Sequence, residues 1–247
     1  MPRILRIINR FNLGGPTYNA AYLAKYLSPE FETLLVGGQI DETEENSEFI
    51  VRNLGLEYIV INEMRRRLNP VHDTRAYLKI KKLIKDFKPD IVHTHASKAG
   101  ALGRFAACRL KVPVIVHTFH GHVFDAYFDK MSSAFYINIE RYLARRSTKI
   151  IAISENQKSE LSEKFRICTK DKIEVIPLGF DLSRFRENIP EKRAKFRSAF
   201  QVNEDELLIS IIGRVVPVKN HELLLRALKI VAGRTSRKIR LFIVGDG

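Results

Sequence analysis

Five of the chain's seven histidines fall between positions 93 and 122: His93, His95, His117, His120 and His122. Imidazoles two apart on a strand point the same way, and that placement leaves two readings open. One is a metal cluster, although no carboxylate or thiolate stands at matching places to complete a ligand set. The other makes His93 and His117 hydrogen-bonded partners inside a sheet. His120 differs from both, because Phe119-His120-Gly121-His122 reads as a tight loop after a strand. An imidazole held there can contact a substrate hydroxyl or donate to a developing charge.

Two further places suit an anion. Gly14-Gly15-Pro16 follows an apolar run and precedes a helical pattern, so glycines permit close backbone approach beside unpaired helix N–H groups. Gly213-Arg214 and Lys219 sit after another apolar run at the opening of a helix, where two cations and backbone donors suit a diphosphate. The plain alternative for Arg214 and Lys219 is two solvated surface cations. The first loop is not the Gly-x-Gly-x-x-Gly dinucleotide pattern. Gly37-Gly38-Gln39 stands where a ribose-binding carboxylate belongs, which argues against a nicotinamide dehydrogenase.

The elements that must position these residues follow from hydrophobic periodicity. Strands are expected over 4–8, 31–36, 57–61, 91–93, 114–117, 149–153 and 173–176. Helices are expected over 17–27, 49–54, 70–87, 99–110 and 132–145, and from Ser154 to Phe165. Strand–helix alternation of this kind gives a parallel sheet covered on both faces, an α/β domain, with ligands outside the carboxyl ends of the strands. The pattern loosens over 177–190, read as a connection between an N-terminal domain (1–176) and a second unit (191–247). In that unit a helix over 191–200, a strand over 207–212, a helix over 222–231 and a strand over 239–244 begin a new alternation. Two strands and two helices are too few to cover both faces of a sheet. The plain alternative is that these strands extend the first sheet. The sharper reading is that the second unit is part of a domain and the chain a fragment, expected to be inactive alone.

Composition sets the class. With 247 residues, 45% of them hydrophobic, the chain can bury a sizeable core, which excludes disorder, collagen-like repeats and disulfide scaffolds. Two cysteines, Cys108 and Cys168, fit a reduced cytosolic compartment. No apolar run approaches the ~20 residues of a membrane span, and the N-terminal apolar stretch is too short for a signal peptide. Forty-two basic against 28 acidic residues give +14, an excess that implies an anionic partner. Nucleic acid finds no support beyond that sign, since no aromatic series is interleaved with the cations.

Several segments together carry a family resemblance. The stretch from Ile211 to Ala227, with Gly213-Arg214, Lys219-Asn220 and Leu224-Leu225-Arg226-Ala227, resembles the Gly-Arg…Lys-Gly…Leu-Leu-x-Ala segment of the family 4 (group 1) retaining glycosyltransferases. The Gly14-Gly15 loop, Asp90-Ile91-Val92-His93-Thr94-His95, Thr118-Phe119-His120-Gly121-His122, Ala152-Ile153-Ser154-Glu155 and Val175-Ile176-Pro177-Leu178-Gly179-Phe180-Asp181 resemble that family's first-domain and connecting motifs, in order. Among its members the chain is most similar to bacterial ones that build surface polysaccharide, lipopolysaccharide and capsule. Asn220 stands where many members have Gly, and Leu178 where many have Asn. The family's downstream pair of glutamates lies beyond the chain.

The resemblance implies a GT-B fold, two facing Rossmann-like domains with the reaction in the cleft. It implies transfer of a sugar, with retention, from a nucleotide-diphosphate donor to a glycan or polyprenyl-linked acceptor, with neither cofactor nor structural metal. By resemblance His120 is the catalytic histidine contacting the transferred sugar. Arg214, Lys219, Gly14 and Gly15 serve the donor diphosphate, and Gly121, Gly179 and Gly213 are candidates to line the cleft. The rival readings are a GT-B sugar-nucleotide epimerase or phosphorylase, and a nucleotide-sugar-binding protein without turnover. The remaining basic excess lies in Met64-Arg65-Arg66-Arg67-Leu68 and Lys79, Lys81, Lys82, Lys85 and Lys88, with Tyr77, Leu78, Leu83, Ile84 and Phe87 on the same helix. These residues, and a second lip at Tyr127, Phe128 and Met131, suggest peripheral attachment to the anionic inner face of the cytoplasmic membrane. A solvated helix face is the plain alternative.

Overall fold

The computed structural model describes residues 1–42, 44–121 and 130–246, with the backbone alone for 130–132. The chain divides into two compact units, Met1–Phe180 and Asp181–Gly247. The division falls within the stretch 177–190.

The first unit is one parallel sheet of seven strands: β1 (Arg3–Ile7), β2 (Glu32–Gly38), β3 (Tyr58–Ile61), β4 (Ile91–His95), β5 (Val114–Thr118), β6 (Lys149–Ala152) and β7 (Ile173–Val175). Their spatial order is β3-β2-β1-β4-β5-β6-β7, so the chain reverses direction across the sheet between β1 and β4. Every connection between neighbours runs through a helix or loop crossover, and the strands are short apolar runs, as parallel strands covered on both faces must be. The helices are α1 (Gly15–Tyr26), α2 (Glu48–Asn53), α3 (Pro70–Phe87), α4 (Ser97–Arg109), α5 (Lys130–Arg146) and α6 (Glu155–Ser159).

Three apolar clusters fill the space between these layers. Leu5, Ile7, Val36, Val92 and Ile115 of the sheet pack with Ala76, Ile80 and Ile84 of α3 and Ala99, Ala106 and Ala107 of α4. Ile8, Phe11 and Leu35 pack with Ala20 and Ala21 of α1 and Ile50 and Val51 of α2. Phe119, Ile150, Ala152 and Ile173 pack with Ala144, Leu161 and Phe165. One ion pair is buried among them: Arg104 of α4 donates to Glu140 of α5 at 2.6 Å, with the arginine side chain fully enclosed.

Local sequence explains the helix ends. Asn69 accepts hydrogen bonds from the N–H groups of Val71 (3.0 Å) and His72 (3.1 Å), and Pro70 occupies the first helical position of α3. Ser154 caps α6 by accepting from Gln157 N–H at 3.2 Å. Beyond Ser159 the expected single helix gives way to a π-helical turn over Glu160–Lys164. Strand β4 is longer than its apolar run: it includes Thr94 and His95, because His95 still pairs in register with Thr118 of β5. Polar residues at a strand's end carry no apolar signal, so periodicity stopped two residues short.

The second unit holds α7 (Ser183–Arg186), α8 (Ile189–Ala199), β8 (Leu207–Ile212), α9 (His221–Ala232) and β9 (Ile239–Val244). Its two strands pair in parallel, from Leu207↔Ile239 to Ile212↔Val244. Apolar residues of this unit are open to solvent: Ile212 of β8 is 77% exposed and Leu223 of α9 62%. The helix α7 lies in the stretch read as a plain connection.

Candidate functional site

The carboxyl ends of β1, β4 and β5 bring a polar group together inside the sheet. Arg6 of β1 pairs in register with His93 of β4, and His95 pairs with Thr118 of β5. Residues two apart on β4 share a face, so the rings of His93 and His95 stack with centroids 4.3 Å apart. Arg6 Nη1 lies 2.6 Å from His93 Nδ1 and 3.4 Å from His95 Nε2. His93 Nε2 lies 2.8 Å from Thr118 Oγ1, and His95 Nδ1 lies 2.9 Å from His120 Nε2. On the other face Thr94 Oγ1 meets His117 Nδ1 at 2.8 Å.

Burial dominates the electrostatics. It pushes the Arg6 guanidinium down to about 9, so Arg6 remains a cation at neutral pH. Burial first, then the Arg6 charge, holds His93 well below the usual imidazole range; His95 is lowered by burial, then by His93 and Arg6. His117 is lowered by burial and then by Arg104. Burial takes His120 to about 4. All four rings are therefore neutral at pH 7. His93 and His117 are hydrogen-bonded inside the sheet, while His120 stands beyond the end of β5 with Nδ1 buried and unpartnered among the described residues.

A guanidinium beside the His93 and His95 imidazoles is unfavourable for a cation, and among the described residues no group of histidine, cysteine, aspartate or glutamate side chains could hold a metal ion. Both cysteines are free, and burial raises their thiols.

At the end of β1, Gly14 precedes α1 in extended backbone, and a Cβ there would approach nothing closer than 3.7 Å. A Cβ on Gly15 would meet nothing within 4 Å. The packing of the described residues does not require either glycine, and the backbone there is open to close approach. Beyond β2 and β3, Arg65, Arg66 and Arg67 join Gln39, Ile40, Asp41 and Glu42 around an open cleft of about 910 Å³. Arg10 braces this region with a two-pronged pair to Glu44 at 2.7 and 2.8 Å. Lys98 ties the arginine loop to α4 through Arg67 O (2.6 Å) and Asp73 (2.8 Å).

Within the second unit, Gly213 and Arg214 follow β8, and Lys219 ends a single 3-10 turn before α9. Arg214 and Lys219 are exposed, and the Lys219 stem passes 3.7 Å from where a Gly213 Cβ would stand. Asn220 has φ 48° and ψ 52°, a left-handed conformation that glycine and asparagine adopt most readily, and its side chain caps α9 by accepting from Leu223 N–H at 3.2 Å. The asparagine in place of the family's usual glycine thus meets the same backbone demand. Leu178 is half-buried; nothing in the structure explains it. Gly121 and Gly179 are exposed. His122, Tyr127 and Phe128 lie outside the described residues, as does the side chain of Met131.

The structure corrects one grouping. On α3, Ile84 is buried and Tyr77, Leu83 and Phe87 pack against the core, so they are not available to a membrane. Met64 is buried as well; the exposed apolar residues there are Leu68, Val71 and Leu78. Sequence reasoning also missed Arg6, whose signal was a charged residue inside the apolar run Ile4-Leu5-Arg6-Ile7-Ile8.

This sheet order, with glycine and histidine loops at the carboxyl ends of its central strands, defines a Rossmann-like α/β protein of the doubly wound class. The chain belongs to the family 4, group 1 glycosyltransferases: residues 13–184 match the model described as Glycosyltransferase Family 4, and residues 192–247 that described as Glycosyl transferases group 1. It is 33% identical over 183 residues to the UDP-Gal:alpha-D-GlcNAc-diphosphoundecaprenol alpha-1,3-galactosyltransferase of Escherichia coli, covering 74% of this chain and 47% of that protein. The chain thus spans about half the length of that relative. Among solved structures it resembles a glycosyltransferase from Rickettsia africae ESF-5 (TM-score 0.74, 23% identity, 99% of this chain and 60% of that one). It also resembles Anabaena Alr3699/HepE in complex with UDP and glucose (TM-score 0.74, 16% identity, 99% and 61%). The fold is GT-B, with the second domain present in part.

Proposed function

We propose that this chain is the acceptor-side domain and the beginning of the donor-side domain of a sugar transferase. The enzyme moves a hexose from a uridine-diphosphate donor to a polyprenyl-diphosphate-linked glycan, with retention, in cell-surface polysaccharide synthesis. The observation that carries this reading is His120, a neutral imidazole pinned at the carboxyl edge of the sheet with one ring nitrogen buried and, among the described residues, unpartnered. Gly14 and Gly15 are compatible with it, because among the described residues nothing would approach a Cβ at either position closer than 3.7 Å. The acceptor class is suggested by the diphosphoundecaprenol substrate named for the Escherichia coli relative, and the donor by the UDP bound to the Anabaena protein.

In this reading Arg214 and Lys219 neutralise the leaving nucleotide, work that positioned cations do well without a resident metal. Gly121, Gly179 and Gly213 line the ligand-facing loops. The arginine-lined cleft draws the anionic acceptor to the first unit, and Arg65, Arg66 and Arg67 with Leu68, Val71 and Leu78 rest on the inner membrane face.

The test is transfer of labelled sugar from UDP-galactose and UDP-glucose to a GlcNAc-diphosphoprenol by the native full-length polypeptide. Transfer that His120→Ala lowers by roughly 100-fold, with nucleotide binding retained, supports the assignment. Unchanged transfer by that variant overturns the role of His120, and isomerised nucleotide sugar as sole product overturns the reaction.

A further inference from the structure

We propose that Arg6, acting through His95, fixes His120 as the tautomer with its proton on Nδ1, so that His120 meets a substrate oxygen as a hydrogen-bond donor and never as a base. The geometry leaves one proton arrangement. A guanidinium has five N–H donors and no acceptor. Arg6 Nη1 faces His93 Nδ1 at 2.6 Å and His95 Nε2 at 3.4 Å, so both of those nitrogens present lone pairs. A neutral imidazole has one N–H. That of His93 is therefore on Nε2, where it donates to Thr118 Oγ1 at 2.8 Å. That of His95 is on Nδ1, where it donates to His120 Nε2 at 2.9 Å.

His120 Nε2 is thereby occupied as an acceptor, and the ring's own proton is on Nδ1. That nitrogen is the one left buried and without a partner among the described residues. Protonating any of the three rings would turn a lone pair of this chain against an N–H, and burial opposes the same step.

The consequence for chemistry is specific. A group whose lone pair is already taken cannot remove a proton from an acceptor hydroxyl. A neutral N–H aimed at a sugar hydroxyl, or at an oxygen gaining charge, stabilises it without transferring a proton. Arg6 and His95 are positioning residues, since both side chains are buried inside the sheet. The identity of the oxygen rests on the reading of His120 as a sugar contact; the tautomer does not.

The experiment is a two-bond proton–nitrogen correlation spectrum of this chain labelled with ¹⁵N-histidine at pH 7.5, with each ring assigned by single substitution. The expected result is Nδ1–H for His95 and His120 and Nε2–H for His93. An Nε2–H His120, or a charged His95, overturns the proposal whether or not the protein transfers sugar. In the full-length enzyme, His95→Asn keeps an amide donor near the place of Nδ1, while His95→Gln puts it near the place of Nε2. His95→Asn is expected to retain most of kcat, and His95→Gln to lose roughly 100-fold in kcat with donor KM little changed. Equal loss in both overturns the positioning role.

Discussion

Gly100 of α4 lies directly against the ring of His117 on β5: a Cβ at position 100 would stand 2.5 Å from Cε1 and 3.1 Å from Nδ1. That Nδ1 is already engaged with Thr94 Oγ1, and the Arg104 side chain closes the space from above at 3.2 Å. The helix is thus seated on the sheet at the distance that a missing side chain allows.

Glycine inside a helix ordinarily costs about 1 kcal/mol relative to alanine, so Gly100→Ala would stabilise a helix with room for the methyl. Here the ring cannot retreat without giving up its hydrogen bond. We expect Gly100→Ala to destabilise the protein by roughly 1–3 kcal/mol, read as a lower urea midpoint by circular dichroism. Gly15→Ala, where a Cβ meets nothing, serves as the control and should leave the midpoint unchanged within about 0.5 kcal/mol. A Gly100→Ala midpoint at or above the parent value would refute the close seating.

The histidine cluster makes stability depend on mild acid. His93, His95 and His117 are held well below the usual range by burial, and His120 at about 4. In the unfolded chain the same rings take up protons near pH 6.5. As pH falls below 6.5 the unfolded state therefore binds more protons than the native one, and stability drops by up to roughly 1.4 kcal/mol per pH unit for each ring. His120 stops contributing near pH 4; the other three continue lower. The urea midpoint should be level above pH 7.5 and fall steeply between pH 6.5 and 5. Equal midpoints at pH 5.5 and 7.5 would show that these rings are not buried as neutral groups.

How much of this was legible beforehand depends on what each residue signals locally. The seven strands of the first unit stood out because parallel strands are buried on both faces and read as apolar runs. Asn69-Pro70 announced the start of α3 because a cap is a property of adjacent residues. The placement of His120 just beyond a strand was legible from the apolar run that precedes it. Arg6 was not: its role comes from lying beside His93, eighty-seven positions away, and no local pattern specifies which strand becomes the neighbour of β1. On α3 the composition showed lysines among apolar residues but did not sort them by face. The fold does so by burying Ala76, Ile80 and Ile84, which recur every four residues. Asn220 read as a departure from a family pattern, and only its left-handed backbone shows that the exchange meets the same conformational demand.

That sorting of α3 sharpens what the basic excess can do. Leu68, Val71 and Leu78 are 67%, 60% and 55% exposed, and Arg65, Arg66, Arg67, Arg75 and Lys82 are exposed beside them. Lys79 is engaged with Glu63 at 2.6 Å and contributes less. Anionic lipid attracts such cations by about 1 kcal/mol each near the surface, an attraction that salt screens. Three apolar side chains add a shallow, salt-independent part. The chain should therefore sediment with vesicles of 30% phosphatidylglycerol in phosphatidylcholine at about 50 mM salt and largely release at about 500 mM. Vesicles of phosphatidylcholine alone should retain little. Reversing the three arginines together (Arg65→Glu, Arg66→Glu, Arg67→Glu) should abolish binding, whereas Lys79→Glu should weaken it only slightly. Absence of binding to anionic vesicles at low salt, or binding that the triple variant leaves intact, would remove this surface as the membrane contact.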